Sequence, residues 1–121
     1  MGWQLDGKEP VFLQIAERLR VQILCGAYAP GDQFPTVRQL AGEAAVNPNT
    51  VQRALGVLEE AGLLQANGTQ GRFVTQDAEV LAAAKLLLQR KTVQEMLARA
   101  AELDITAADI IRMIEKKEVE I

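Results

Sequence analysis

Ten residues, Val46-Asn47-Pro48-Asn49-Thr50-Val51-Gln52-Arg53-Ala54-Leu55, constrain this chain more than any others, because they specify a helix start from several sides at once. Asn47 is a strong N-cap: its side-chain oxygen can accept from an orphan backbone N–H. Pro48 then falls at the first helical position, where its missing donor costs nothing. Val46 and Val51 have the spacing of a hydrophobic staple, which fixes the angle at which the chain runs into the helix. Val51, Ala54, Leu55 and Leu58 share one apolar face, so Asn49, Thr50, Gln52, Arg53 and Gly56 are expected to face solvent or a partner. Asparagine, glutamine and arginine suit base edges in a DNA major groove. An ordinary solvated amphipathic helix would show the same polar face, so the neighbouring sequence has to decide.

Upstream, Phe34-Pro35-Thr36-Val37-Arg38-Gln39-Leu40-Ala41 opens another helix, with Thr36 as cap and Gln39 three residues later completing a capping-box pattern. Val37, Leu40, Ala41 and Ala44 fall at i, i+3, i+4 and i+7. Only a turn around Ala45 and Val46 separates the two capped helices, which is helix-turn-helix spacing.

A chain of 121 residues with 49% hydrophobic content can bury a real core and carry an appendage. It contains no histidine, which excludes histidine metal sites, Ser-His triads and imidazole bases. No cofactor is expected. The acidic residues are scattered along helices and no nucleophile has an apparent base, so an enzyme is disfavoured. Cys25 is the single cysteine; placed beside Ile23 and Leu24, it is expected to be a buried structural thiol. With no leader-like start and no run of 18 apolar residues, the expectation is a soluble cytoplasmic protein without a membrane partner.

The net charge of −3 opposes a nucleic-acid role. Its distribution softens the objection. No carboxylate lies between Ala44 and Leu58, where Arg53 stands, or between Ala61 and Gln76, where Arg72 stands. Nonspecific affinity is expected to be weak, so useful binding calls for two copies on one site.

Along the chain, Met1 to Pro10 reads as irregular, with Trp3 and Leu5 as packing residues. A first helix follows from Val11, with Phe12, Ile15, Ala16, Leu19, Ile23 and Leu24 at helical spacing and Gly26 at its C-terminal cap. Ala29-Pro30-Gly31-Asp32 is a turn, and Gln33 and Phe34 are extended. After the Asn47 helix, Gly62 is a stop. Leu63 to Ala66 and Arg72 to Thr75 then read as strands joined by a hairpin turn at Asn67-Gly68. A ribbon directly after a reading helix is a wing, and it needs Leu63, Leu64, Phe73 and Val74 to pack on the helices.

From Pro10 to Val74 the chain resembles the winged-helix domain of the GntR family of bacterial transcription regulators. The resemblance rests on Pro10-Val11-Phe12-Leu13-Gln14-Ile15, Pro30-Gly31-Asp32, Pro35 to Ala41, Asn47 to Ala54 and Gly71-Arg72-Phe73-Val74. The Asn-Pro-Asn-Thr-Val form and the short tail are similar to the YtrA subfamily. The resemblance implies DNA contacts from Arg38 on the second helix, from Asn47, Asn49, Thr50 and Gln52 on the third, and from Asn67 and Gly68 on the wing. Two positions depart from the family pattern: Thr36 stands where serine is commoner, and Thr69-Gln70-Gly71-Arg72 replaces the usual Gly-x-Gly-Thr. The second departure makes Arg72 a candidate phosphate ligand in place of the usual threonine. Val37 and Pro48, at the first positions of their helices, complete the expected DNA-facing set with Thr36 and Arg53.

The tail from Asp77 reads as helical throughout. Val80, Leu81, Ala84, Leu87, Leu88, Val93, Met96, Leu97 and Ala100 form an apolar stripe closed by Leu103, and Thr92 with Glu95 suggests a break near Lys91. Thr106 with Asp109 caps a last helix whose face is Ile110, Ile111, Met113 and Ile114. Helices like these cannot bury their faces alone, so they must pack on the winged helix or on a second copy; the second copy is favoured, with Leu81, Ala84, Leu87, Leu88, Met96, Leu97, Ile110, Ile111 and Ile114 expected at a homodimer interface. The resemblance implies the same. A small effector could bind between subunits, although nothing in the sequence identifies one.

The whole reads as mainly α with a small β-hairpin: a winged helix-turn-helix over residues 1–76 and a two-helix dimerisation tail over residues 77–121. The expected function is a homodimeric regulator of transcription, a repressor reading double-stranded DNA at an inverted repeat, with Asn49 and Gln52 as base readers. A winged-helix module that binds protein instead of DNA is the alternative, favoured by the acidic charge and opposed by the carboxylate-free face.

Overall fold

Pro10 ends an irregular N-terminal arm, and α1 runs from Val11 to Leu24. The computed structural model describes residues 2–120; Met1 of the expected arm and Ile121 of the expected tail lie outside them. Gln14 ties the arm down. Its Oε1 accepts from the Asp6 N–H at 2.9 Å, and its Nε2 donates to the carbonyls of Asp6 at 2.7 Å and Glu9 at 2.9 Å. Ile15, Ala16, Leu19, Ile23 and Leu24 are the buried face of α1. Gly26, at φ 91, ends the helix, and the Ala27 N–H reaches back to the Gln22 carbonyl at 2.9 Å. Cys25 is exposed, against the expectation of a buried thiol. The helix stops at Leu24, so Cys25 occupies the C-cap, off the buried face.

The Pro30-Gly31 turn forms as expected: the Asp32 N–H bonds the Ala29 carbonyl at 3.0 Å and Gly31 takes φ 86. Helix α2, Val37–Ala44, starts at the Thr36 capping box, in which Thr36 Oγ1 accepts from the Gln39 N–H at 3.1 Å and Gln39 Oε1 accepts from the Thr36 N–H at 2.9 Å. The turn into α3 passes through Ala45, left-handed at φ 57. Helix α3, Pro48–Glu60, has Asn47 as N-cap, its Oδ1 accepting from the Asn49 N–H at 2.8 Å. Its buried residues are Val51, Ala54, Leu55 and Leu58, the face expected from spacing. Fully burying Val51, Leu55 and Leu58 is worth about 1.5–3 kcal/mol each, which is what seats α3.

Strands β1, Leu64–Ala66, and β2, Arg72–Val74, pair antiparallel with Leu64 opposite Val74 and Ala66 opposite Arg72. The tip differs from the expected two-residue turn. Gly68–Gln70 forms one turn of 3-10 helix, and the Asn67 N–H closes the loop on the Gly71 carbonyl at 2.8 Å. A two-stranded ribbon is marginal alone. Here the segment 31–34 lies along the free edge of β2: Gly31 and Phe34 N–H groups donate to the Val74 and Arg72 carbonyls at 2.9 and 2.8 Å, and Gln33 bridges to Phe73. Leu63, Leu64, Val74 and Phe34 are buried beneath it.

Helix α4, Ala78–Glu102, is uninterrupted. The expected break near Lys91 is absent because the Thr92 hydroxyl does not cap; it donates to the Leu88 carbonyl at 2.8 Å, one turn back along the same helix. The chain divides within α4 into two compact units, one ending at Lys85 and one beginning at Leu86. In the second, Asp104 at φ 60 ends α4 and the Thr106-Asp109 capping box opens α5, Ala107–Glu115. Neither α4 nor α5 contains a buried residue. No described helix is long and apolar enough to cross a membrane.

Candidate nucleic-acid interface

Both helices of the helix-turn-helix begin with polar caps and no acidic residue in the first turn, so the positive ends of α2 and α3 are left without internal carboxylates. On α3, Asn49, Gln52 and Arg53 are exposed and Thr50 is half-buried. The side chains of Asn49 and Gln52 make no hydrogen bond among the described residues, which leaves their amides free for another molecule. Pro48 is exposed at the first position of α3.

Two members of the expected set are already engaged. Thr36 and Asn47 use their side-chain oxygens as caps, so their structural role is to orient α2 and α3. Losing either cap costs about 1 kcal/mol. Arg38, at the second position of α2, is exposed and takes part in no ion pair among the described residues; Val37 beside it is half-buried.

The remaining arginines are held in place by contacts that helical spacing could not show. Arg53 lies with its guanidinium carbon 3.9 Å from the centre of the Phe12 ring. An exposed contact of this kind is worth about 0.5–1 kcal/mol. Arg72, half-buried at the base of the wing, pairs through Nε with Glu59 Oε1 near the end of α3. At the tip, Asn67 and Gly68 are exposed, Asn67 Nδ2 reaches Gln70 Oε1 at 3.3 Å, and Gln33 Nε2 donates to the Gln70 carbonyl at 2.9 Å. Phe12, Glu59 and Gln33 thus order the site, and sequence reasoning had assigned them no such part. Each acts on a residue far away along the chain, for which local periodicity carries no signal.

Among the described residues no group of His, Cys, Asp and Glu could hold a metal. The exposed amides and guanidinium groups offer hydrogen-bond donors and acceptors for recognition.

Comparison with known proteins agrees. The chain is 31% identical over 114 residues to the uncharacterized HTH-type transcriptional regulator YhcF of Bacillus subtilis, covering 94% of each. It is 29% identical over 97 residues to the HTH-type transcriptional repressor YtrA of the same organism, covering 78% of this chain and 75% of the other. In three dimensions it matches a GntR family transcriptional regulator from Listeria monocytogenes with a TM-score of 0.84 at 28% identity, over 96% of this chain and 100% of that one. The AraR DNA-binding domain in complex with operator ORX1 matches 62% of this chain and 90% of its own length, with a TM-score of 0.55 at 28% identity. The model of the bacterial regulatory proteins of the gntR family matches residues 12–74, the span from the start of α1 to the end of the wing. The chain therefore belongs to the gntR family of bacterial regulatory proteins, in the group that includes YtrA and YhcF, and it is a regulator of transcription and not an enzyme.

Proposed function

We propose that this regulator is a cytoplasmic homodimeric repressor that reads an inverted-repeat operator with one α3 per half-site. The observation that carries the reading is the outer side of α3, where Asn49 and Gln52 stand exposed and unpartnered on a stretch without carboxylates. Amides of this kind can bond adenine in the major groove, each good pair giving about 1–3 kcal/mol of discrimination. Arg38, Thr50 and Arg53 hold the backbone or help read bases, with Thr36, Val37, Asn47 and Pro48 setting the helix starts that approach the phosphates. Asn67 and Gly68 reach DNA from the wing, and Arg72 contributes the part of its guanidinium that Glu59 does not engage. The relative named as a repressor and the operator complex of AraR support the reading.

Dimerisation is supported by the tail. Leu87 is 70% exposed, Ile111 55%, Met96 50% and Ile114 41%, while Leu81, Ala84, Leu88, Leu97 and Ile110 are half-buried. So much uncovered apolar surface marks an interaction site. A second copy covers it and joins two weak half-site contacts into one binding event, which answers the objection from net charge. Symmetric half-sites would lie one helical turn of DNA apart or a multiple of it.

Asn49→Ala and Gln52→Ala test the assignment of base readers. Each is expected to lower affinity for a duplex enriched from random DNA by about 1–3 kcal/mol, with affinity for mixed-sequence duplex unchanged. Equal losses on both duplexes would show that the amides only position the helix.

A further inference from the structure

Phe12 is half-buried near the start of α1, and the Arg53 guanidinium of α3 lies over its ring at 3.9 Å. Among the arginines of the first compact unit, Arg20 pairs with Glu17 and Arg72 with Glu59, so their charges are internally answered. Arg53 has no carboxylate partner among the described residues. Its stretch of α3 contains none, and the first turn of α1 beside it contains none. A guanidinium held over an aromatic face is restrained in position, and with no carboxylate bonded to it its N–H donors remain available to an acceptor. The charge is therefore held in place and left without a counterion.

We infer that Phe12 is a positioning residue for DNA binding: its ring sets the Arg53 guanidinium as a preformed ligand for one backbone phosphate at the edge of the reading helix. The inference rests on α3 being the DNA-facing helix and deepens that reading by assigning Arg53 to phosphate and not to bases. A free arginine would lose side-chain freedom when it meets a phosphate; on Phe12 much of that freedom is already lost. The contact is sequence-independent, so it raises affinity for every duplex alike.

The test is the salt dependence of binding to a mixed-sequence DNA duplex, measured for the full chain and its variants, with thermal unfolding recorded alongside. Arg53→Gln removes one phosphate contact and is expected to lower the slope of log K against log salt by about 0.9. Phe12→Leu is expected to lower affinity and reduce the slope part of the way toward that of Arg53→Gln. Phe12→Tyr, which keeps the ring face, restores both, and the Phe12→Leu/Arg53→Gln double variant is no weaker than Arg53→Gln alone. If leucine unfolds the chain, Phe12→Met carries the same expectation. An Arg53→Gln slope equal to that of the unaltered chain, or additive losses in the double variant, would overturn the inference while leaving the DNA reading intact. Failure of the unaltered chain to bind any duplex would overturn the DNA reading itself.

Discussion

Gly71 shows how one residue shapes the wing. It has φ 96 and ψ −151, a conformation that side-chain-bearing residues adopt only under strain. A methyl group there would meet only Gln33 Nε2, at 3.7 Å, so space is not the obstacle. Gly71→Ala is therefore expected to cost about 1–3 kcal/mol through backbone strain alone, read as a lowered denaturant midpoint at unchanged slope; unchanged stability would show that the loop re-forms differently. Residues whose role is local were legible from the sequence. Thr36, Asn47 and Thr106 all cap as expected, because a cap depends on a partner two or three residues away. Arg53 and Arg72 were legible only as charges. Their partners Phe12 and Glu59 lie 41 and 13 residues away, and only folding brings them close.

At the scale of elements, the apolar spacing of α1, α2 and α3 named their buried faces apart from Phe12 and Val37, which stand at the helix starts and are half-buried. The wing tip was harder to read. Asn67-Gly68 suits a tight turn, yet the observed register pairs Ala66 with Arg72 and leaves five residues for the tip, which closes through a 3-10 turn instead. Thr92-Glu95 resembles the caps at Thr36 and Thr106, but the helix on either side continues and the hydroxyl bonds backward. The genuine cap of α5 carries a pH dependence. Asp109 is held below its ordinary value of 3.8, first by the Thr106 backbone N–H, then by the Thr106 side chain and, more weakly, by Arg112. Because the folded value is the lower one, the charged cap stabilises α5 fully above 3.8, and that contribution is lost as pH falls through the depressed value. Helix content in the wild-type chain is expected to fall in that acid range, and Asp109→Asn should start lower at neutral pH and lack the step. Matching circular dichroism titrations for the two would contradict the cap's role.

Across the whole molecule, the two units divide the work. The first holds the core and the polar face of α3, and the second exposes the apolar side chains that a single copy leaves uncovered. Leu87 is the sharpest probe of that division, because at 70% exposure it contributes little to the fold of one chain. Leu87→Glu is expected to convert a sedimenting dimer to a monomer and to remove the concentration dependence of unfolding, while each copy still folds. Whether two copies of α3 read a symmetric site is measured by selecting bound duplexes from random DNA with the wild-type chain and with Leu87→Glu in parallel. An enriched inverted repeat is expected for the wild-type chain, and a single half-site or no enrichment for the variant. An unrepeated site selected by the wild-type chain, or the same inverted repeat selected by a monomeric variant, would contradict reading by two copies.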